Sequence, residues 1–537
     1  MADHKSKRAD SPSTPHADFA SAGPHPHPRP QPWVLARWWF ALRWALTQRV
    51  FGRPLPFLTS WLNLKLGDLL VTLPAVALLL AWSIRTVVNQ DLRGSGRPPS
   101  VALAVTFALA VRNNALLLVV TGLPFERTLL YHKLFGFLAF VTSVLHGVVY
   151  FRLAGFAALS EDKVAILGVI TTSFMALLVL MSYWRIRRAL WELFVRTHWV
   201  LFLGIMVVGI MHGATVMIVG LIPWAADVLY RYVLRLRRVR TSDSASPSPH
   251  SASLTLLAGG IVRVQWPRES FRFSAGQYVF LCVPSMSLLE WHPFTVASAP
   301  HEPMVTLYIK VVGDWTQRLA QLAASTTAGA SDSVSVLVEG PYGALSVDLE
   351  HSDTYTHVVL VGGGIGVTPM LSLANQLYFE ADVAKTRSQP VRKAWFVWSV
   401  REREMIEALC LQPDRLQWAE AQQEHLRTWL PHGLLASTAS NIPSDAFYSE
   451  FYLTKSEQDL THPVDQRFAS ALRYGQRPDV RGILSEVGRD AVAQSQRRVA
   501  VLVCGPAAMV SDVVVQSMLL TKELGVAFDV HQETFDF

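Results

Sequence analysis

A chain of 537 residues with 51% hydrophobic and 17% charged residues is too apolar for a wholly soluble protein and long enough for two or three domains. This composition predicts a membrane protein with a soluble part. The net charge of +7 does not indicate a nucleic-acid partner, because basic residues cluster beside apolar spans, as Arg185, Arg187 and Arg188 do. All three cysteines follow the last apolar span, so no disulfide framework is predicted.

The N-terminal segment has two parts. Residues 1–32 are rich in Pro, Ser and His and lack an apolar run, which predicts disorder and no cleaved signal peptide. Residues 33–64 mix tryptophans such as Trp38 and Trp39 with arginines such as Arg43. That mixture is typical of the headgroup layer and predicts an interfacial amphipathic helix.

Residues 65–240 are predicted to form a six-span transmembrane haem domain. The apolar spans lie at roughly 67–88, 101–122, 133–151, 164–184, 198–218 and 219–236. The bias of Lys and Arg among the connections predicts cytosolic termini. The third and fifth spans then run parallel, from the inside to the outside of the membrane.

Four histidines of the apolar half form two pairs with a spacing of 14 residues, His132 with His146 and His198 with His212. On a helix this spacing is about four turns and about 21 Å, so both members of a pair share one face. A lone buried histidine is usually a core residue, but four with matched spacing are harder to explain that way. We expect His132 to face His198 near the inner membrane surface. His146 then faces His212 near the outer surface, and each facing pair is predicted to bind one of two stacked b-type haems.

The second span carries Arg112 at membrane depth, next to Asn113 and Asn114. An uncompensated cation there costs on the order of 3 kcal/mol or more, so Arg112 needs an anionic partner. A haem propionate is one candidate. The alternative is an arginine that snorkels or pairs within the bundle.

The pattern changes after a linker at 241–251. Short β-type runs between 252 and 350, such as IVRVQW and VTLYIKVV, predict a small antiparallel β-barrel. From 355 to 537, strands alternate with helices, which predicts an α/β nucleotide-binding domain. Residues 436–496 are polar and irregular in pattern, and we interpret them as an insertion without a predictable fold.

A glycine-rich turn stands between a strand and a helix of the α/β segment. Gly362–Gly364 and Gly366 let the backbone approach a pyrophosphate, and a helix that begins near Thr368 presents free amides to it. An ordinary tight turn is the alternative. The tripeptide Cys504–Pro506 follows another strand, at the edge where ligands bind in open α/β sheets, although alone it is more often just a turn.

Two motifs of the barrel segment are candidates for a second ligand. HPFTVAS, at 292–298, ends a barrel strand, and ordinary strand chemistry explains it equally well. IKVVGDWT, at 309–316, places Gly313, Asp314 and Thr316 just before a helix, a position that suits a phosphate group.

Together, the histidine spacing, HPFTVAS, IKVVGDWT, EGPYG, GGGIGVTP, CGP and an aromatic C-terminus resemble the ferric reductase and NADPH oxidase superfamily over residues from about 65 to 537. The resemblance implies a membrane all-α six-helix haem bundle followed by a cytosolic ferredoxin-reductase-like module, with FAD on the barrel and NADPH on the α/β domain. For FAD it implies His292, Pro293, Phe294, Thr295, Val296, Ser298, Lys310, Gly313 and Thr316. For NADPH it implies Gly363, Gly364, Gly366, Val367, Thr368, Pro369, Arg401, Cys504, Gly505 and Pro506.

Two details of the nucleotide end stay open. Arg401, after the strand WFVWSV, suits a 2′-phosphate, whereas Glu402 beside it leaves NADH as the alternative. Phe537, at the C-terminus, is a candidate to cover the flavin ring until nicotinamide displaces it. A fraying tail is the alternative for that segment.

Within the superfamily, the segment 110–136 resembles the metalloreductase branch more than the oxidases. We therefore predict an NADPH-dependent ferric-chelate reductase that passes electrons through FAD and two haems across a membrane, expected to be the plasma membrane. Ferric, and also cupric, chelates are the expected acceptors, with a separate transporter for iron uptake. The nearest alternative is a superoxide-generating NADPH oxidase. A haem-binding channel or transporter subunit without turnover is the alternative from another class.

Overall fold

The structure is a computed structural model that describes residues 64–111, 125–230, 236–240, 252–327, 334–349, 354–411 and 446–533, with single-residue gaps at 270 and 344 and a few isolated positions elsewhere. Residues Met1–Leu42 separate as a unit of their own. The predicted disordered segment and nearly all of the predicted interfacial helix lie outside the described residues, as do Arg112 and Phe537.

The N-terminal half is helical. Its main helices are α1 (Leu66–Val88), α2 (Arg97–Ala108), α3 (Phe125–Ala154), α4 (Lys163–Met181), α5 (Trp191–His212) and α6 (Met217–Tyr230). Short helices lie in the connections at Leu92–Ser95, Ala157–Ser160 and Trp184–Ala189. Within the described residues, α1, α3, α4 and α5 are long and apolar enough to cross a membrane. Because α6 has 14 residues and 112–124 lie outside the described part, the count of six spans stays a prediction.

The two histidine-bearing helices are not close neighbours in this bundle. Helix α3 packs on α1, α2 and α4, while α5 packs on α4 and α6 packs on α2. Among the described residues, the backbones of α3 and α5 have no extensive contact with each other. Side chains make further contacts across the bundle. The ring of Phe107 on α2 packs edge-to-face against that of Phe202 on α5, with centroids 5.2 Å apart. Among the described residues, α3 and α5 are therefore held together mainly by way of the neighbouring helices and by side chains.

A buried charge cluster joins α1 to α3. The Asp68 carboxylate, 4% exposed, accepts hydrogen bonds from the Arg127 guanidinium at 2.9 Å and from the Tyr131 hydroxyl at 2.7 Å. It also accepts the Lys65 backbone N–H at 2.7 Å, at the start of α1. A carboxylate in an apolar bundle needs such partners, because desolvation penalises an isolated charge. Since Tyr131 directly precedes His132, the cluster fixes the position of that histidine along the bundle.

The next domain is built from antiparallel strands. They are β1 (Leu236–Arg240), β2 (Ser253–Leu257), β3 (Ile261–Pro267), β4 (Tyr278–Cys282), β5 (His292–Thr295), β6 (Met304–Lys310) and β7 (Ser335–Tyr342), with helix α7 (Asp314–Thr327) before β7. One sheet has the order β1-β7-β4-β5 and the other β2-β3-β6. Their inner faces share a core of aliphatic residues together with Trp266, Phe271 and Trp315. The β-type runs predicted between 252 and 350 thus become β2 to β7.

Strand β1 differs from the sequence expectation. The run Leu236–Arg240 was predicted as the basic end of the membrane domain, but it pairs antiparallel with β7, with Leu236 opposite Glu339. An edge strand needs only one neighbour, and charged residues suit an edge because they oppose further pairing. The barrel therefore begins before the linker at 241–251.

The C-terminal domain is a parallel sheet with helices. Its elements are β8 (His357–Gly363), α8 (Thr368–Tyr378), β9 (Lys393–Val400), α9 (Glu404–Cys410), β10 (Phe447–Leu453), α10 (Pro463–Arg467), β11 (Leu472–Tyr474), α11 (Val480–Ala493), β12 (Arg498–Cys504), α12 (Ala507–Leu524) and β13 (Ala527–Glu533). A single-turn helix spans Gly364–Val367, and α8 continues as one wider turn at Phe379–Val383. The strand order is β11-β10-β9-β8-β12-β13, with every pair parallel.

The described part of the predicted insertion, residues 446–496, belongs to this sheet. Strand β10 pairs with β9 from Phe447 to Leu453, and β11 extends the same edge. Glu450 interrupts the apolar pattern that is typical of a buried parallel strand, so the sequence did not predict this strand. The Glu450 carboxylate is satisfied by the Tyr452 hydroxyl at 2.8 Å and by Arg473 at 3.1 Å.

The barrel and the parallel sheet form a common core. Ile261, Ala297 and Tyr308 of the barrel are buried in one cluster with residues of β8, α8 and β9. The Ser372 hydroxyl of α8 donates to the Ser298 carbonyl of the barrel at 2.8 Å. Continuous burial of this kind holds the two domains in a fixed relation.

We predict that Asp68→Ala destabilises the bundle by about 3–5 kcal/mol, because it removes the carboxylate shared by Arg127 and Tyr131. The midpoint of thermal unfolding of the full chain in detergent measures this effect. The matched variant Asp162→Ala removes a carboxylate that caps α4 and should cost only about 1 kcal/mol. Equal shifts in the two variants would contradict the assignment of Asp68 as a structural clamp.

Candidate functional site

The four histidines of the bundle meet as two pairs. The ring centroids of His132 and His198 are 6.3 Å apart, and those of His146 and His212 are 5.9 Å apart. A metal held between two imidazole nitrogens, at about 2 Å from each, separates the ring centroids by about 6 Å. Both pairs therefore have the spacing of axial ligands, and they show that α3 and α5 run parallel.

Backbone carbonyls orient one histidine of each pair. His132 donates from Nδ1 to the Thr106 carbonyl at 2.9 Å, and His212 donates from Nδ1 to the Val164 carbonyl at 2.8 Å. A carbonyl can only accept, so Nδ1 carries the proton in both rings. The Nε2 lone pair is then the one available to a metal.

A serine hydroxyl orients the other histidine of the outer pair. The Ser95 hydroxyl lies 2.7 Å from His146 Nδ1 and donates its own proton to the Leu92 carbonyl at 2.8 Å. It therefore accepts from His146, whose Nε2 is left for a metal. Within the described residues, no third His, Cys, Asp or Glu completes a metal site with either pair.

Close approach also shapes the outer pair. A Cβ atom on Gly168 of α4 would lie 2.6 Å from the Cε1 atom of His212, which is too close for any side chain. Glycine therefore lets the His212 ring lie directly against α4.

The HPFT motif forms β5 and carries an aromatic cluster. His292 and Phe294 are two residues apart and therefore lie on the same face of the strand. Trp315 of α7 packs against both, with its ring centroid 4.4 Å from that of His292 and 5.8 Å from that of Phe294. Within the described residues, His292 Nε2 and Trp315 Nε1 are buried without a hydrogen-bond partner. Burial lowers the pKa of His292, so its ring is neutral. Two unsatisfied polar atoms in one aromatic cluster fit a ligand with polar ring edges, such as a flavin.

Other predicted barrel residues have structural contacts. The Ser298 hydroxyl is fully buried and accepts the Thr306 N–H at 3.0 Å. The Thr316 hydroxyl accepts the Gly313 N–H at 2.9 Å, which closes the loop before α7. The remaining predicted residues, Pro293, Thr295, Val296 and Lys310, lie on β5, directly after it, or at the end of β6.

One ion pair connects the bundle to the flavin motif. Arg196 of α5, two residues before His198, lies 3.8 Å from Glu290, two residues before His292. Arg318 of α7 holds the same carboxylate at 2.8 Å. Arg196 is 71% exposed, so the pair contributes little stability. Its significance is positional, because it brings the first turns of α5 beside the flavin motif.

The glycine turn and the CGP tripeptide meet at the carboxyl edge of the parallel sheet. Strands β8 and β12 are neighbours, with Gly362 opposite Cys504. A Cβ on Gly366 would lie 2.8 Å from the Cys504 carbonyl oxygen, so only glycine fits there. Burial raises the pKa of the Cys504 thiol well above its ordinary value, which keeps it protonated. The first turn of α8, with Thr368 and Pro369, opens at the same edge.

The loop after β9 supplies cations to this edge. Arg401 is exposed directly after β9, the neighbour of β8. Arg403 is instead held by the buried Asp465, with an N–O distance of 3.0 Å. Arg401 therefore stays the candidate for a nucleotide phosphate.

Sequence reasoning missed two residues of these sites. Trp315 stands inside the recognised run IKVVGDWT, and its place between Asp314 and Thr316 could have identified it. Ser95 contacts His146 across 51 positions of the chain, and no local pattern signals such a contact.

Three family models match the chain, a ferric reductase like transmembrane component over 96–209, an FAD-binding domain over 248–346 and a ferric reductase NAD binding domain over 355–518. The chain belongs to the ferric reductase and NADPH oxidase superfamily. The predicted resemblance to this superfamily is confirmed. Its domain content makes the chain a multi-pass membrane oxidoreductase with a flavin domain and a nicotinamide nucleotide domain.

Individual relatives in the superfamily carry oxidase names. The chain is similar to a superoxide-generating NADPH oxidase heavy chain of Dictyostelium discoideum, with 26% identity over 461 residues, 77% of this chain and 82% of that protein. It is 36% identical to NADPH oxidase 1 of Mus musculus over 142 residues, 26% of this chain and 23% of that protein. A ferredoxin NADP+ reductase from Neisseria gonorrhoeae aligns with 56% of this chain and 98% of its own, at 15% identity and a TM-score of 0.34.

We predict that Gly366→Ala lowers the rate of flavin reduction by NADPH on the order of 100-fold, because the new methyl group displaces the backbone that approaches the nucleotide. Stopped-flow absorbance of the flavin measures this rate. Gly136→Ala, whose Cβ meets only Thr106 Cγ2 at 3.6 Å, is the matched control and should behave as the parent protein. Normal flavin reduction in Gly366→Ala would place the nucleotide elsewhere.

Proposed function

We propose that this protein carries electrons from cytosolic NADPH through FAD and two b-type haems to ferric chelates on the opposite side of the membrane. The observation that carries the proposal is the pair of facing histidines at each end of α3 and α5. Cupric chelates are further acceptors of the same kind. Iron reduced in this way would enter through a separate transporter, and the plasma membrane is the expected location.

The donor set favours haem over a bare metal ion. Each pair offers two imidazoles and, within the described residues, no further His, Cys, Asp or Glu ligand, a donor set that suits a haem, whose macrocycle brings four ligands of its own. The pairs are about 21 Å apart along α3, which spans most of a hydrocarbon core of about 30 Å.

The two soluble domains would deliver electrons to the helix bundle. FAD bound there would supply the conversion of two-electron hydride chemistry into single-electron transfer. His292 and Trp315 offer their unsatisfied ring nitrogens to it, and the ion pair of Arg196 with Glu290 sets this motif beside the helix that bears His198. A haem-binding channel without turnover would have no use for these two nucleotide domains.

Short connections lie beside the pair His146 and His212. The helices that carry the outer pair are joined to their neighbours by short connections, at Gly155–Asp162 and at 213–216. His146 and His212 are both partly exposed there. A haem held by this pair would lie near these short connections.

A superoxide-generating oxidase is the second candidate, and the names of the similar proteins favour it. Dioxygen would take one electron at the same outer pair. The two candidates share every cofactor site and differ only in the acceptor.

We expect cells that express the full chain to reduce external Fe(III)–EDTA in the presence of superoxide dismutase, because the electron passes directly to the chelate. Ferrous iron is measured with a membrane-impermeant chromogenic chelator. Loss of iron reduction on adding dismutase, together with superoxide formation in the absence of chelate, would establish the oxidase instead.

We predict that His146→Ala removes haem from the outer site alone, leaving a reducible haem absorbance of roughly half size and no external iron reduction. His132→Ala should block electron entry to both sites, since the inner pair is the relay nearest the flavin motif. Absorbance spectra of the purified variants after NADPH addition separate the two. Retention of both haems and full iron reduction by His146→Ala would refute the paired-ligand assignment.

A further inference from the structure

We propose that Ser95 is a positioning residue that sets the reduction potential of the outer haem by holding His146. This inference rests on the proposed binding of haem between His146 and His212. It assigns a role in the outward electron step to a side chain that touches neither the acceptor nor the metal.

The Ser95 hydroxyl is fixed on both sides. It lies at the end of the short helix Leu92–Ser95, is 2% exposed, and donates its proton to the Leu92 carbonyl at 2.8 Å. Asp91 caps this helix by accepting the Gly94 N–H at 2.9 Å. With its proton engaged, the hydroxyl oxygen can only accept from His146 Nδ1, at 2.7 Å.

The other oriented histidines have a different kind of partner. His132 and His212 donate to backbone carbonyls, which no substitution of a side chain removes. Among the hydrogen bonds described at these rings, the one from His146 alone ends on a side chain. The outer site is therefore the one whose ligand strength depends on the identity of a single residue.

The expected effect on potential follows from ligand basicity. A hydrogen bond from Nδ1–H makes the imidazole a stronger donor through Nε2, and a stronger donor stabilises ferric over ferrous iron. Ser95 therefore lowers the potential of the outer haem and raises its reducing power toward an external acceptor. Without this bond the outer haem would hold its electron more tightly.

The test is a potentiometric titration of the purified full chain in detergent, followed by haem absorbance. Ser95→Ala should shift one of the two midpoint potentials upward, leave the other unchanged and slow reduction of Fe(III)–EDTA. Ser95→Thr keeps the hydroxyl and should restore both parent values. Ser100→Ala removes another buried serine hydroxyl of the same bundle, one that contacts no histidine, and should also match the parent protein.

Three results would overturn the inference. Unchanged midpoints in Ser95→Ala, equal shifts of both midpoints, or a shift in Ser100→Ala as large as that in Ser95→Ala would each do so. If Ser95→Ala fails to fold, Ser95→Cys serves as the second variant, because its weakly accepting sulfur should give a smaller upward shift of one midpoint. Parent-like midpoints in Ser95→Cys would then count against the inference. Absence of two haems from the parent protein would instead refute the proposed function, whatever the variants show.

Discussion

The hydrogen bonds at Nδ1 of the paired histidines are the constraint on which the arrangement of the bundle depends. Imidazoles on two helices without extensive mutual contact would otherwise rotate freely about their side-chain bonds. Partners on α2, on α4 and on the short helix before α2 fix three of these rings. Helices that carry none of the four histidines therefore determine how these imidazoles point.

A second constraint fixes the positions of the histidine-bearing helices and of the flavin and nucleotide motifs. The Asp68 cluster fixes α3 near His132, and the core shared by the barrel and the parallel sheet fixes the flavin motif relative to the nucleotide edge. The ion pair of Arg196 with Glu290 lies where these two rigid parts meet. The contacts that fix these two parts lie within the protein itself, so the junction needs no bound ligand to bring the flavin motif beside α5.

Much of this organisation could be predicted from periodicity. The 14-residue spacing of the histidines, the alternating barrel strands and the glycine turn after β8 are local patterns, and each predicted its element. Contacts between distant positions that no repeated spacing signals could not be predicted, as Ser95 with His146 shows. Strand β10 was not predicted because Glu450 interrupts its apolar run. In the structure, Tyr452 and Arg473 donate hydrogen bonds to that carboxylate. Strand β1 was not predicted as a strand because a basic run beside a membrane span also suits a tail that faces the lipid headgroups.

Strand β1 has a practical consequence for dissecting the protein. Because Leu236–Arg240 covers one edge of β7, a soluble fragment that starts at the linker would expose that edge along its whole paired length. Uncovered edges recruit strands from other molecules, so such a fragment would be prone to aggregate for reasons unrelated to its cofactors. A fragment that starts just ahead of Leu236 retains the covering strand and is the better material for studying the flavin and nucleotide domains in isolation.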